Sequence, residues 1–227
     1  MTYGPWLIEA VRASAAAYDF TTHARANSEG LLWPTRRAQP LVDAPIFAVR
    51  GTTFDRWNIL SGDALLDGLA VPWRAKRYPE LGWCHKGFLR GKWWGEYRGA
   101  LGLWEACRAE LIEQRPLLLC GHSKGGAEAS ILAALLVLAG HTPAALITFG
   151  APRCAASTHL NHILRSIITQ FHVRQGVDIV PRSPAAPWWQ NWEHQMHLHG
   201  GMGLAPSDCF SDHKIAAYGR VVERQFE

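Results

Sequence analysis

Hydrophobic residues in the first half of the chain follow helical spacing in two segments and form a strand-like run in one. Those from Leu7 to Tyr18 recur at helical spacing behind Pro5, which predicts an amphipathic helix that the proline can begin. The run 45–50 predicts a short strand that ends in a turn at Gly51. A second helix is predicted where hydrophobic residues share one face until Pro116 ends the pattern. The residues of that face are Trp94, Tyr97, Leu101, Trp104, Cys107 and Leu111.

After Pro116, short strand-like runs alternate with helical runs. The strand-like runs are 117–120, 145–149 and 169–173, and the helical runs are 127–139 and 159–167. This alternation predicts an α/β fold with a mostly parallel central sheet flanked by helices. Because such sheets bind ligands beyond the carboxyl ends of their strands, catalytic residues are expected in the turns that follow the strands.

Composition narrows the class of protein. The chain has 227 residues, of which 48% are hydrophobic and 19% charged, so we expect one folded domain over residues 1–227 rather than a disordered chain or a coiled coil. A net charge of +4 is too small to indicate a nucleic-acid partner. Eleven tryptophans fit either a well-filled core or a surface that faces lipid.

The cysteines, the N-terminus and the apolar runs indicate the expected location of the protein in the cell. Five cysteines without C-x-x-C spacing, mostly in apolar segments, indicate reduced thiols. The N-terminus lacks the pattern of a secretory signal, and the longest apolar run, Ile131–Ala139, is shorter than the roughly 20 residues that cross a bilayer. We therefore expect a protein without a transmembrane segment, either cytoplasmic or exported without a recognisable signal peptide.

The strongest candidate for chemistry is the sequence Gly-His-Ser-Lys-Gly-Gly at 121–126, which places Ser123 between a predicted strand and a predicted helix. In that context G-x-S-x-G is typical of a nucleophile elbow, because the glycines remove side chains that would clash in the sharp turn. The helix N-terminus behind it favours developing negative charge. The alternative is a glycine-rich turn with a capping serine, but the flanking elements and the partners downstream favour a nucleophile.

A serine nucleophile needs a base to accept its proton and an acid to orient that base. In one known chain order of such triads, the acid follows the serine and precedes the histidine. Asp178 fits as the acid because it lies in a turn just past a predicted strand, although it could be an ordinary Asx-turn residue. Asp208 and Asp212 are weaker candidates, because neither follows a predicted strand.

Four histidines downstream of Asp178 are candidates for the base. His213 is favoured because it lies where a loop meets a helical pattern, from which its ring can reach back to the serine. His194, His197 and His199 lie in an irregular stretch rich in Gly and Trp. Their spacing resembles that of metal ligands, but no thiolate or carboxylate pair completes the set beyond Glu193, so we predict a packed or solvated loop and no metal.

Acyl transfer also needs two backbone N–H groups directed at the oxyanion. Lys124, directly after the serine, supplies the first position. Thr52 is predicted to supply the second, because it follows a strand through Gly51 and adds a hydroxyl donor. An ordinary turn at Thr52 is an equally good interpretation of that segment alone.

Five segments of the chain, taken in order, resemble the class 3 lipase family of α/β-hydrolases, typified by the fungal triacylglycerol lipases. The segments are Val-Arg-Gly-Thr at 49–52, His-Lys-Gly-Phe at 85–88, the elbow at 121–126, Thr-Phe-Gly-Ala-Pro-Arg at 148–153, and Asp-Ile-Val-Pro at 178–181 followed by Asp212, His213 and Tyr218. The elbow and the Thr-Phe-Gly-Ala-Pro-Arg segment are specific in combination.

This resemblance implies an α/β-hydrolase fold with a short lid, and hydrolysis of lipid esters of the triacylglycerol type through an acyl-enzyme. It implies that Ser123 attacks the carbonyl, His213 carries the proton, Asp178 orients His213, and Thr52 with Lys124 stabilises the oxyanion. No cofactor is needed. The expected partner is a lipid ester or small ester, bound at a lipid–water interface.

The position of the family's lid corresponds here to an amphipathic segment that contains Phe54, Trp57 and Leu60. These residues are expected to cover the acyl site in water and to uncover it at a lipid surface. A surface helix that never moves is an almost equally good interpretation.

Several alternatives to a triacylglycerol lipase stay open. Lys124 stands where the fungal lipases carry Leu, so its cation could pair with phosphate, which makes a phospholipase conceivable. A short-chain esterase cannot be separated from a lipase by sequence. A lipase-like fold can also be a catalytically silent binding module, or can bind a lipid surface through its Trp-rich loops without chemistry.

Overall fold

A computed structural model of the protein shows a central six-stranded sheet with helices packed on both faces. The residues that it describes are 3–18, 30–33 (backbone only), 44–51, 71–90, 99–113, 116–185, 187–199 and 211–227. The strands are β1 (Gly30–Trp33), β2 (Ile46–Val49), β3 (Pro72–Arg74), β4 (Trp83–His85), β5 (Leu118–His122), β6 (Ala145–Phe149), β7 (Thr169–Gln175) and β8 (Gln195–Leu198). The order in the main sheet is β1-β2-β5-β6-β7-β8, and β3 pairs with β4 separately.

Only the first pairing in the main sheet is antiparallel, between β1 and β2; the other four are parallel. The described helices are α1 (Gly4–Ala16), α2 (Lys86–Arg90), α3 (Gly99–Glu113), α4 (Lys124–Leu138), α5 (His159–Leu164) and α6 (Ile215–Phe226). The predicted α/β fold with a mostly parallel sheet is confirmed. In the described part of the chain, no helix is long and apolar enough to cross a bilayer.

The core lies in two layers because successive strand residues point to opposite faces of the sheet. One layer contains Leu119 and Leu146 and is covered by α3 and α4, whereas the other contains Leu118 and Ile147 and is covered by α1 and α6. Every residue of β2, β5 and β6 is buried. Strands buried on both faces explain why the sequence shows continuous apolar runs there instead of alternation.

Four of the five cysteines, Cys84, Cys107, Cys120 and Cys154, are buried free thiols, as predicted, and Cys209 lies outside the described residues. Burial raises the pKa of the Cys84 and Cys120 thiols to about 12, which keeps them protonated and unreactive. These four residues therefore act as small hydrophobic groups.

One element contradicts the sequence-based prediction. The stretch around His194, His197 and His199 was expected to be an irregular loop, but it contains β8, which pairs with β7 at the sheet edge. Two of its four residues, Gln195 and His197, are polar and exposed, so this edge strand lacks the continuous apolar run that identifies β5 and β6. Its pairing is set by the neighbouring strand.

Candidate active site

Ser123 lies between β5 and α4 in a strained turn. Its backbone has φ 57° and ψ −131°, a conformation that L-residues rarely adopt and that is typical of residues held in place for function. Its N–H donates to the Phe149 carbonyl oxygen at 2.8 Å. A Cβ at Gly125 would collide with the Val49 carbonyl oxygen, and one at Gly121 with the backbone of Gly125. The glycines of the elbow are therefore required by close backbone approach.

A chain of hydrogen bonds runs from Ser123 to Asp178. The Ser123 hydroxyl lies 2.8 Å from His213 Nε2, and His213 Nδ1 lies 2.9 Å from Asp178 Oδ2. A carboxylate can only accept, so Nδ1 carries the proton and Nε2 is left to accept from the serine. All three residues are buried. The structure thus brings together the three residues predicted as nucleophile, base and acid.

The Asp178 carboxylate accepts two further hydrogen bonds. The Tyr218 hydroxyl donates to Oδ2 at 2.6 Å, and the Val180 N–H donates to Oδ1 at 2.9 Å. Burial, followed by the nearby Asp178 charge, raises the pKa of Tyr218 well above its ordinary value, so the hydroxyl stays a donor. Asp178 is therefore both the partner of His213 and the Asx-turn residue that the sequence offered as an alternative.

Gly150 makes room for the contact between Asp178 and His213. It follows β6 with φ 59°, and a Cβ there would lie 2.9 Å from Asp178 Oδ2, 3.0 Å from the Tyr218 hydroxyl and 3.1 Å from His213 Nδ1. Gly150 and Tyr218 were predicted only as parts of motifs, and these contacts were not predicted from the sequence. The signal for Gly150 was present, since it occupies a turn after a buried strand as Ser123 does.

Asp212 holds the segment that carries His213 against the end of β7. Its carboxylate Oδ2 accepts from the Val177 N–H at 2.9 Å, and its carbonyl oxygen accepts from the Gln175 side-chain amide at 2.8 Å. The weaker candidate for the acid thus lies beside the triad, where it fixes the backbone next to His213. Asp208, the other weaker candidate, lies outside the described residues.

Lys124 is the first residue of α4, so its backbone N–H belongs to the first turn, where helical N–H groups point out of the helix N-terminus. That placement suits a donor to an oxyanion beside Ser123. Its ammonium group lies 4.0 Å from the carboxylate of Glu128, one turn later, and Glu128 is fully buried.

Two groups of candidate residues remain, one outside the described residues and one at the edge of the sheet. Thr52 and the proposed lid residues Phe54, Trp57 and Leu60 lie outside the described residues. His197 lies in β8, and His194 and His199 lie on either side of that strand. His197 Nε2 is 3.1 Å from the Gly176 carbonyl oxygen, and the His197 ring packs against that of His199. Among the described residues, no group of three His, Cys, Asp or Glu side chains is arranged to hold a metal.

Comparison with solved structures gives the same fold at low sequence identity. The Rhizomucor miehei lipase in its propeptide complex is 20% identical, with a TM-score of 0.60, over 87% of this chain and 67% of that one. The Lip2 lipase of Yarrowia lipolytica is 13% identical, with a TM-score of 0.62, over 96% and 90%. A triacylglycerol lipase whose catalytic centre is a serine protease triad is 20% identical, with a TM-score of 0.63, over 87% and 80%.

The sequence itself matches one family. No curated protein matches the chain significantly, but the family model of lipase (class 3) matches residues 47–188, more than half of the chain. This range includes the elbow at Ser123 and the acid turn at Asp178. The chain therefore belongs to the class 3 lipase family of serine hydrolases.

Proposed function

We propose that the protein hydrolyses carboxylic esters of lipids, with Ser123 as the nucleophile, His213 as the base and Asp178 as the acid that orients the base. The observation that carries this proposal is the continuous hydrogen-bonded chain from Ser123 through His213 to Asp178. A serine that merely capped a helix would need neither a buried histidine nor a buried carboxylate behind it.

In the acylation step, Ser123 Oγ attacks the ester carbonyl carbon while its proton passes to His213 Nε2. The imidazolium that forms is stabilised by the Asp178 carboxylate at 2.9 Å. Negative charge develops on the carbonyl oxygen, where the backbone N–H groups of Lys124 and Thr52 are the proposed donors. The tetrahedral intermediate then collapses, His213 gives its proton to the leaving alcohol, and an acyl group stays on Ser123.

In the deacylation step, water takes the place of the alcohol. His213 accepts a proton from the water as the oxygen attacks the acyl carbon, and returns it to Ser123 Oγ when the carboxylic acid leaves. Atoms balance without a cofactor, since one water is consumed for each ester cleaved. Because Asp178 accepts hydrogen bonds from three groups, it stays in place through both halves of the reaction.

A neutral ester is favoured over a phospholipid as the substrate. The phosphate role proposed for Lys124 needs its charge to be directed at the ligand. Its ammonium group instead lies 4.0 Å from the buried Glu128 carboxylate, and only 13% of its side chain is exposed. Opposite charges at this distance attract strongly where water is largely excluded, which holds the lysine against its own helix.

We also propose that the enzyme works at a lipid–water interface, with Phe54, Trp57 and Leu60 as a lid. Support comes from Ile179 and Trp188, which are 50% and 77% exposed on the segment that follows the acid. An exposed hydrophobic side chain directly after the acid, as at Ile179, favours contact with lipid beside the proposed site. Ile179→Ser should lower turnover of an emulsified ester but not of a soluble one. Ile168→Ser is the control, because Ile168 is 96% exposed and precedes β7, whereas Ile179 follows it.

The first experiment is labelling with a fluorophosphonate, alongside turnover of p-nitrophenyl esters of increasing chain length. Ser123→Ala should abolish both. Ser130→Ala is the matched control, because Ser130 is a buried serine of α4 whose hydroxyl donates to the Gly126 carbonyl oxygen rather than to His213. It should keep both activities.

Absence of labelling in folded wild-type protein, with detergent or lipid present, would contradict the proposal and favour the silent binding module. Association with vesicles that is unchanged by Ser123→Ala, without any turnover, would favour a lipid-surface protein that performs no chemistry. Turnover that falls steeply for all but the shortest esters would identify a short-chain esterase.

A further inference from the structure

A second set of hydrogen bonds lies behind the elbow and involves residues that the proposed mechanism does not use. His122, the residue before the nucleophile, has both ring nitrogens engaged: Nδ1 is 2.7 Å from the Tyr18 hydroxyl, and Nε2 is 2.6 Å from the backbone carbonyl oxygen of His213. Tyr18 lies just beyond the end of α1. Residues far apart in sequence thus meet at the backbone of the base.

The direction of these hydrogen bonds follows from the acceptors. A carbonyl oxygen can only accept, so His122 Nε2 carries the proton and donates to His213. In the neutral ring Nδ1 must then accept, and Tyr18 donates to it. Burial, helped by the neighbouring His213, lowers the pKa of His122 to about 3, which keeps the ring neutral at ordinary assay pH.

Tyr18 also contacts Gly51, which lies just beyond β2 and precedes Thr52, the proposed oxyanion residue. A Cβ at Gly51 would collide with the Tyr18 hydroxyl and would lie 2.5 Å from the His122 carbonyl oxygen. Burial raises the pKa of the Tyr18 hydroxyl, while Arg50 and a hydrogen bond from the Gly51 backbone lower it. The hydroxyl therefore stays protonated and lies between Gly51 and His122.

We propose that Tyr18 and His122 are positioning residues, which link Gly51, two residues beyond β2, to the backbone of His213 and so hold the oxyanion side and the base side of the site in a fixed relative position. Neither residue touches the reacting atoms. This inference rests on the proposed ester hydrolysis for its kinetic consequences, but the hydrogen bonds themselves can be tested without a substrate.

Positioning matters here because proton transfer and attack depend on sub-ångström geometry. Displacement by about 1 Å can lower a rate by about a hundredfold. Loss of the Tyr18 hydroxyl leaves His122 Nδ1 without a donor in a buried site, and loss of the His122 ring frees the His213 carbonyl. Both changes should loosen the base while leaving substrate contacts intact, so kcat should fall and KM should not change.

The kinetic test compares Tyr18→Phe and His122→Leu with matched controls. Tyr78→Phe removes a tyrosine hydroxyl that accepts from Trp104 Nε1 at 2.9 Å, and His172→Leu removes a buried histidine that bonds to Thr148 at 2.8 Å. Burial also lowers the pKa of His172 to about 3, so the two histidines are matched in charge state.

We expect kcat to fall about tenfold in Tyr18→Phe and more in His122→Leu, with KM unchanged, whereas the controls keep kcat. His122→Gln restores a side-chain N–H that can donate to the His213 carbonyl, so it should recover part of the loss. The double variant should lose less than the product of the single losses, because both residues act through one chain of contacts. Equal losses in variants and controls of similar thermal stability would overturn the proposal.

A spectroscopic measurement tests the geometry independently of turnover. Nitrogen-15 NMR of the histidine rings should show one ring, absent from His122→Leu, as the neutral Nε2–H tautomer at about pH 5, where an ordinary histidine is charged. A charged ring, or the Nδ1–H tautomer, would contradict the network. If the tautomer is confirmed and no ester is hydrolysed, the proposed function fails while the network stands.

Discussion

Two fully buried carboxylates flank the nucleophile elbow, and their surroundings differ in kind. Asp178 accepts hydrogen bonds from Val180 in its own turn and from His213 and Tyr218 in the distant C-terminal segment. Glu128 lies within α4, 4.0 Å from the ammonium group of Lys124 one turn earlier. Contacts that converge from distant segments fix the geometry of a site, whereas a pair within one helix stabilises that helix.

This difference predicts that changes around Asp178 alter the catalytic rate and that changes around Glu128 alter stability. The comparison fails if substitutions at the two places have the same effect. The substitutions that test this difference begin with the triad residue Asp178 and end with Lys124 and Glu128 in α4.

The largest effect is expected from Asp178→Asn. An amide in place of the carboxylate can donate to His213, which favours the wrong imidazole tautomer and leaves no charge to stabilise the imidazolium. We expect kcat to fall by about 10⁴-fold, measured on a soluble p-nitrophenyl ester, with the fold retained in circular dichroism. Glu128→Gln is the matched control, since it also turns a buried carboxylate into an amide. A similar loss of kcat there would break the comparison.

The next largest effect is expected from Gly150→Ala. The added methyl would lie about 3 Å from Asp178 Oδ2, the Tyr218 hydroxyl and His213 Nδ1, and the residue would be strained at φ 59°. Because the acid and base must separate to admit it, kcat should fall by about a hundredfold.

Gly140→Ala is the control for Gly150→Ala. Gly140 also has a positive φ, 82°, but a Cβ there meets nothing within 4 Å. Both variants should lose thermal stability through backbone strain, and only Gly150→Ala should lose turnover. Retained turnover in Gly150→Ala would show that the contact between Asp178 and His213 tolerates displacement.

A smaller effect is expected from Tyr218→Phe. It removes the hydroxyl that donates to Asp178 Oδ2 at 2.6 Å and leaves His213 and Val180 as donors. We expect kcat to fall about tenfold and the free energy of unfolding to fall by about 1–3 kcal/mol, because a buried acceptor loses one of its partners. Tyr78→Phe serves as the control. If Tyr218→Phe lowers stability but not kcat, Tyr218 contributes to packing and not to catalysis.

The parts of this site that the sequence predicts are those with a local signal. β6 was predicted with its observed bounds, 145–149, because both of its faces are buried and the apolar run is continuous. Ser123 was predicted because it directly follows such a strand, and Asp178 was predicted because it lies in a turn just past a strand. His213 lies 2.8 Å from Ser123, although their separation of 90 residues leaves no local pattern.

The parts that the sequence does not predict depend on contacts between distant residues. The link between Tyr18 and His122 joins positions 104 residues apart, and the Tyr218 hydroxyl reaches Asp178 from α6. Neither residue type is unusual where it stands, so only the assembled sheet reveals the contact. β8 was missed for a related reason, because this short and partly exposed edge strand acquires its conformation from pairing with β7.

The smallest effect on turnover is expected from Lys124→Leu, which also tests the phosphate role. The backbone N–H proposed for the oxyanion is unaltered, so hydrolysis of a neutral ester should change little. Glu128 would be left buried beside an apolar side chain, and breaking a buried pair in this way lowers stability by about 3–5 kcal/mol. Lys124→Leu combined with Glu128→Leu should recover much of that stability. In the double variant, whose stability is restored, phospholipid hydrolysis could still fall more than hydrolysis of a neutral ester. That result would instead indicate that Lys124 contacts the phosphate of the substrate, and that Glu128 belongs to the site as Asp178 does.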